Sequence, residues 1–311
     1  MSPLERAILR TLTWFDISSY PLTAFECWQY LYTESEKIDN YSISQVINTL
    51  EKLTKEGMIK NENGFWQLAS SPSHFFNRQQ QARWALPKRK RAQKGARLLS
   101  YLPFVRFVGL ANTMAFDAPR QANSDIDFFI VLGSNRLFIG RLFVTLIVHL
   151  FGWRRYGERV HNRLCLSFYI TENNLNLEQF SKKDDPYLRF WVASLVPLFD
   201  RGIYDRLIKA NAWVTKDLPN WQKIYSSYIN KNKKSLPSII QRILELLFGG
   251  AWGNWCEKVF YKFQMKHILP YVADHLNNGT TDVVISEKVV KMHTNDRRVE
   301  LAAAFRKRLL G

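Results

Sequence analysis

Between Asn123 and Val131 the chain reads Asn-Ser-Asp-Ile-Asp-Phe-Phe-Ile-Val, two aspartates one residue apart at the head of an apolar run. The run predicts a strand from Asp125 to Leu132, and side chains on a strand alternate between its two faces. Residues i and i+2 share a face, so Asp125 and Asp127 converge on one point. Two adjacent carboxylates repel one another unless a cation stands between them. Mg²⁺ is a hard, oxygen-seeking ion often held by one or two carboxylates together with substrate phosphates. Two such ions can clamp the attacking and leaving oxygens of an in-line phosphoryl displacement. The pattern therefore predicts a site for Mg²⁺ or Mn²⁺ at Asp125 and Asp127. The rival reading is a strand-end pair spent on turn hydrogen bonds.

Upstream, residues 104–108 alternate large apolar side chains as a strand does, and Gly109 to Thr113 turn. Met114 to Phe116 start a short helix, and Asp117 to Asn123 form a polar loop. Strand, small-residue turn, short helix and then Ser-Asp-Ile-Asp entering an apolar strand resembles the DNA polymerase β-type nucleotidyltransferase superfamily. The resemblance covers roughly residues 104–172, under a quarter of the 311-residue chain. It implies transfer of a nucleotidyl group from a nucleoside triphosphate to a hydroxyl acceptor. It places Asp125 and Asp127 on the acidic pair that binds the metals and carries catalysis. Ser124 matches the residue that commonly precedes that pair, and Ala111, Asn112 and Thr113 fall where the family has a Gly-Ser turn holding the triphosphate.

The sequence departs from the family at two places. It lacks the Gly-Ser turn, although Asn112 and Thr113 offer polar groups and backbone N–H donors to phosphate. The family also takes a third carboxylate from a later strand, but the next strand, Arg163 to Ile170, carries no acid. Glu158 precedes it, Glu172 follows it, and Cys165 or Ser167 stands at the expected place. That third acid often serves as a general base, worth on the order of 10²–10⁴-fold in rate. A second reading follows: a nucleotidyltransferase fold without turnover, which binds nucleotide or regulates through an N-terminal interaction module.

Composition bounds the remainder. Hydrophobic residues make up 46% and charged ones 23%, a globular balance that argues against disorder. The formal charge of +17 is unevenly spread: residues 1–70 hold six Lys/Arg and nine Asp/Glu, while residues 71–100 hold eight Lys/Arg and no acid. Affinity for RNA or another polyanion is therefore expected downstream of residue 70, with residues 88–97 as the candidate surface and a solvated helix face as the plainer reading. The three cysteines are scattered and read as buried thiols of a cytoplasmic protein. No signal peptide is expected at Met1. Residues 137–153 are the most apolar stretch, but Arg141 and His149 interrupt it short of the roughly 20 residues that span a bilayer. A buried helix is expected there, with no transmembrane segment.

The first 70 residues have the order of a winged helix-turn-helix. Leu4, Ile8, Leu12 and Phe15 form one helical stripe, Thr23 caps a second helix, and a loop rich in Glu, Ser and Asn follows. Ser42 caps a third helix that Gly57 closes, and a hairpin turns at residues 61–64. The acidic balance favours a structural or protein-contacting role over DNA reading, since readers of DNA carry a basic footprint.

The whole reads as a mixed α+β protein. Residues 1–70 are winged-helix-like, 71–100 form a basic connecting helix broken or kinked at Pro87, 101–175 form the nucleotidyltransferase-like small mixed sheet with flanking helices, and 176–311 are mainly helical. Helices are expected at 186–199, 203–214, 236–248 and 255–273, with a short strand at 283–286. Trp191, Trp213, Trp221, Trp252 and Trp255 are expected in the core. Lys291, Arg297 and Arg298 read as a solvated helix start, with neutralisation of triphosphate as the sharper alternative. Neither the acceptor nor the oligomeric state follows from the residues.

Overall fold

Three N-terminal helices begin with the same device. Ser2, Thr23 and Ser42 cap α1 (Pro3–Asp16), α2 (Ala24–Gln29) and α3 (Ile43–Lys55), each answered by a side chain three residues on, Glu5, Glu26 or Gln45. Each box satisfies two backbone donors that a helix start leaves open. Strands β1 (Ile59–Glu62) and β2 (Phe65–Leu68) then pair antiparallel about Asn63 and Gly64, both at positive φ, as a tight two-residue hairpin requires. The computed structural model describes residues 1–34, 41–182, 185–222, 239–276 and 281–310. Most of the polar loop expected before Ser42 and the start of the helix expected from Leu236 lie outside the described residues.

Helix α4 (Phe75–Leu99) runs unbroken through Pro87, so of the break or kink expected there the break does not occur. Pro87 is on the exposed side of the helix, where solvent can hydrate the carbonyl that the proline nitrogen cannot serve. Its inner face is small: Ala85, Ala92, Gly95, Ala96 and Leu99 lie against the sheet.

That sheet has six strands in the order β6-β3-β4-β5-β8-β7. Strand β3 (Val105–Leu110) is antiparallel to β4 (Ile126–Leu132), and β5 (Leu164–Thr171) is parallel to β4, with β4 and β5 the middle pair. A parallel neighbour needs a crossover, which α5 (Leu137–Leu150) provides. The helix expected at 186–199 divides into α6 (Pro186–Ser194) and a strand, β6 (Val196–Asp200), on the edge beside β3. Pro197 explains the change, since proline biases the residue before it away from helical backbone and is tolerated in an edge strand. Next come α7 (Tyr204–Ala210), α8 (Ile239–Leu247), α9 (Gly250–Leu276), the hairpin of β7 (Val283–Ile285) and β8 (Val289–Met292), and α10 (Arg298–Leu310). Strand β8 pairs with β5, so residues beyond 175 supply three of the six strands. The fold is mixed α+β, and no described helix is long and apolar enough to cross a membrane.

Both faces of the sheet are covered. Phe107, Phe129, Val131, Phe168 and Ile170 share one core with α1, α2, α6 and α7. On the other face Val108, Phe128, Ile130, Leu132 and Tyr169 pack with α4 and α5. The N-terminal helices are thus continuous with the sheet: Trp14 stacks on Phe190 at 5.0 Å, and the Tyr20 hydroxyl donates to the Phe116 carbonyl at 2.7 Å.

Candidate metal centre

Ile126 is fully buried against the α4–α5 side, so its neighbours Asp125 and Asp127 turn to the opposite face, as strand alternation requires. The Ile126 N–H donates to the Arg163 carbonyl at 2.9 Å and sets the register that puts Asp127 beside Cys165. A bulge follows at once: Phe129 is level with Phe168, one residue further along β5 than along β4. Bulges re-aim side chains and recur beside functional sites. Here it keeps Cys165 and Phe168 on the same side. One oxygen from each carboxylate and the Cys165 Sγ lie within 4.8 Å of one another.

Burial, and after it the charge of Asp125, pushes the Asp127 carboxyl up to about 6, while a hydrogen bond from the Asn112 amide opposes the shift. The Cys165 thiol is pushed up to about 12, first by burial and then by both aspartates, so it is a neutral thiol at pH 7. Arg155 supplies the facing positive charge: its Nη1 stands 2.6 Å from Asp125 Oδ2 and 3.7 Å from Cys165 Sγ.

The turn at Ala111, Asn112 and Thr113 lies against the pair. The Ala111 N–H donates to the Asp127 carbonyl at 3.0 Å, and the Thr113 carbonyl accepts from Ala118 at 2.9 Å. Asn112 adopts φ +55 and opens a 3₁₀ turn over Asn112–Phe116. Its Oδ1 accepts from the Tyr187 hydroxyl at 2.9 Å and from Trp191 Nε1 at 2.8 Å, which leaves its amide hydrogens for Asp127. Asparagine tolerates left-handed backbone better than most residues, so a turn without Gly-Ser is still tight. Ser124 closes the preceding loop: its Oγ accepts from the Gln121 N–H and its own N–H donates back, both at 3.1 Å.

Lys88, expected on a solvated or phosphate-facing surface, is instead buried. It leaves the basic run and is fully buried, donating to the Ala122 and Ser124 carbonyls at 2.9 and 2.6 Å and to Asn162 Oδ1 at 2.8 Å. It thereby ties the loop before Asp125 to the loop before β5. Burial pulls its ammonium down, and the charge of Asp125 holds it up. Elsewhere in the run, Arg89 pairs with Asp117 at 2.8 and 2.7 Å and Arg91 lies 4.8 Å above the Trp153 ring. Only Lys90, Lys94 and Arg97 stand exposed among the basic residues of 88–97.

Arg298 is buried between Asp185, Asp282 and Asp296, which corrects the expected solvated helix start, and Lys291 is buried with its Nζ turned to the Thr281 and Asp282 carbonyls. Arg297 remains exposed beside Glu300. On α3, Lys52 pairs with Glu5 at 2.6 Å, removing one of the few cations from its outward face.

The cluster could hold a metal ion: the two carboxylates offer hard oxygen donors, while a neutral thiol adds little to a hard ion. Arg155 and Lys88 carry no motif that singles them out in sequence, and Tyr187 and Trp191 lie more than 70 residues from the turn they orient. No family model, no curated protein and no solved structure matches the chain.

Proposed function

We propose that this protein binds a nucleoside triphosphate with Mg²⁺ or Mn²⁺ and transfers a nucleotidyl group to a hydroxyl acceptor. The observation that carries the reading is the convergence of the Asp125 and Asp127 carboxylates at the head of β4, beside a tight polar turn. When bound, the metal would neutralise phosphate charge at the pair. The chain's own residues position that chemistry. Lys88 holds the approach to Asp125, while Tyr187 and Trp191 hold Asn112 against Asp127. Backbone N–H groups of the Ala111–Thr113 turn and the hydroxyls of Thr113 and Ser124 are the candidate phosphate contacts. The exposed Lys90, Lys94 and Arg97 would meet an RNA or other polyanionic acceptor. The reduced, buried cysteines fit a cytoplasmic setting, and residues 1–70 fit a winged-helix module that contacts protein.

One observation favours the alternative, nucleotide binding without turnover. Cys165 stands where the family takes a third carboxylate, and a neutral thiol is a poor general base. A single experiment separates the readings. Calorimetric titration of nucleoside triphosphate, with and without Mn²⁺, is run on the wild type and on the Asp125→Asn/Asp127→Asn double variant, and pyrophosphate release is followed in parallel. Metal-dependent binding confined to the wild type supports the site, and pyrophosphate release then identifies a transferase. Equal binding by both proteins overturns both readings.

A further inference from the structure

Helix α8 is built inside out. Its inward positions are polar: Gln241 is fully buried, accepting from Arg201, and Glu245 pairs with Arg106 at 2.6 Å and accepts from the Phe104 N–H at 2.7 Å. Its outward positions are Ile239, Ile240, Ile243, Leu246 and Leu247, with exposures from 59 to 83%. An amphipathic helix on a globular surface ordinarily buries its apolar stripe. Here ion pairs anchor the polar stripe to the protein, and the apolar one faces away from it.

The surface continues onto α9. Gly250, at φ +56, breaks the two helices apart, and Arg136 fixes the corner by donating to the Phe248 and Gly250 carbonyls at 2.9 and 3.2 Å and to Asn254 Oδ1 at 2.8 Å. Opposite the buried Gly253, Cys256, Gln264 and Ile268, the outer face of α9 presents Trp252, Trp255, Val259 and Phe263 at helical spacing. Trp252 and Trp255, expected in the core, are exposed and stack on each other at 4.9 Å. Lys258, Lys262 and Lys266 are interleaved on the same face and exposed.

We propose that α8 and the outer face of α9 lie in the interfacial plane of an anionic membrane leaflet. Three observations identify this occupant. Ile, Leu, Trp and Phe on one side of in-plane helices suit the boundary between headgroups and acyl chains. Lysines among them reach phosphate headgroups while their stems stay on apolar surface. A net charge of +17 attracts an anionic leaflet and repels a second copy of the same chain. Over the described residues neither helix is long and apolar enough to cross a bilayer, so the proposed contact lies in its plane.

The test uses the full chain and two kinds of vesicle, phosphatidylcholine alone and phosphatidylcholine mixed with phosphatidylglycerol, in a co-sedimentation assay. The wild type is expected to bind the mixed vesicles alone. Lys258→Gln/Lys262→Gln/Lys266→Gln should weaken binding by about fivefold per charge, on the order of a hundredfold in all. Ile243→Glu/Leu246→Glu, on fully outward positions, should abolish it while the thermal melt stays unchanged, and Leu246→Ser offers a milder check. Vesicle binding that ignores lipid charge or survives these substitutions overturns the proposal. So does a stable dimer that fails to bind vesicles and is split by Leu246→Glu, since that outcome assigns the face to a second copy.

Discussion

Arg155 Nη1 and Asp125 Oδ2 are 2.6 Å apart, so the acidic pair already has a cationic neighbour supplied by its own chain. Nearly half of the Arg155 side chain is exposed, and solvent screens such a pair to about 1 kcal/mol or less. A divalent ion would therefore compete with the guanidinium on favourable terms. Arg155→Met is expected to bind Mn²⁺ up to about fivefold more tightly than the wild type, read by titration of free Mn²⁺ in electron paramagnetic resonance. Unchanged or weaker affinity would show that Arg155 does not compete for the site.

Lys88 serves three acceptors from a fully buried position. Lys88→Met keeps the stem and strands two carbonyls and an amide oxygen without a donor. The expected loss is about 3 kcal/mol of stability, measured by urea unfolding. Because the same ammonium holds the Ser124 carbonyl beside Asp125, Mn²⁺ affinity should fall as well. A variant as stable as the wild type would show that the loops hold without it.

Asn112 combines a left-handed backbone with a side chain that two largely sequestered donors, Tyr187 and the buried Trp191, need. Removing the side chain leaves the Tyr187 hydroxyl and Trp191 indole unpaired in Asn112→Gly and Asn112→Ala alike, about 2 kcal/mol in either case. Alanine should lose about 1 kcal/mol more, since its Cβ resists positive φ. Glycine is thus expected to be the milder substitution, the reverse of its usual effect. Equal or opposite losses in the two melts would refute a conformational role for the position.

His293 is half-buried, with its ring edge-on to Phe168 at 5.7 Å. Burial, and then the positive charges of Lys291 and Arg298, depresses it to about 3, with Asp296 pulling the other way. In the unfolded chain it titrates near 6.5. Between those values the unfolded state holds the extra proton, so stability rises with pH through this window and is lost on acidification. The His293 contribution is at most about 1.4 kcal/mol per pH unit. Urea melts from pH 6.5 down to pH 4 should show a shallower loss in His293→Gln than in the wild type, and parallel slopes would contradict the assignment.

Local signals were legible in the residues themselves. The cap residues Thr23 and Ser42 start their helices where the pattern predicts, because a cap and its answering side chain are three residues apart. The turn at Asn63 and Gly64 and the strand holding Asp127 are legible for the same reason, and alternation alone turns Asp125 and Asp127 to one face. The expected helix through Phe199 failed at Val196, where pairing with β3 outweighed a pattern that periodicity reads as helical.

What the sequence by itself determined is the acidic pair, the apolar strand that carries it and the mixed α+β class. Tertiary structure decided which of the candidate groups reach the pair and added others that the sequence does not single out. Strand register selects Cys165 over Ser167, the other residue that the sequence offered, Arg155 arrives through a loop that folds back, Lys88 from helix α4, and Asn112 is oriented by Tyr187 and Trp191. The same holds for α8, whose apolar residues face outward because Gln241 and Glu245 find their partners, Arg201 and Arg106, on the inner side. Hydrogen-bond and ion-pair partners distant in sequence leave no periodic trace, so the chain writes its strands and caps locally and its site only in space.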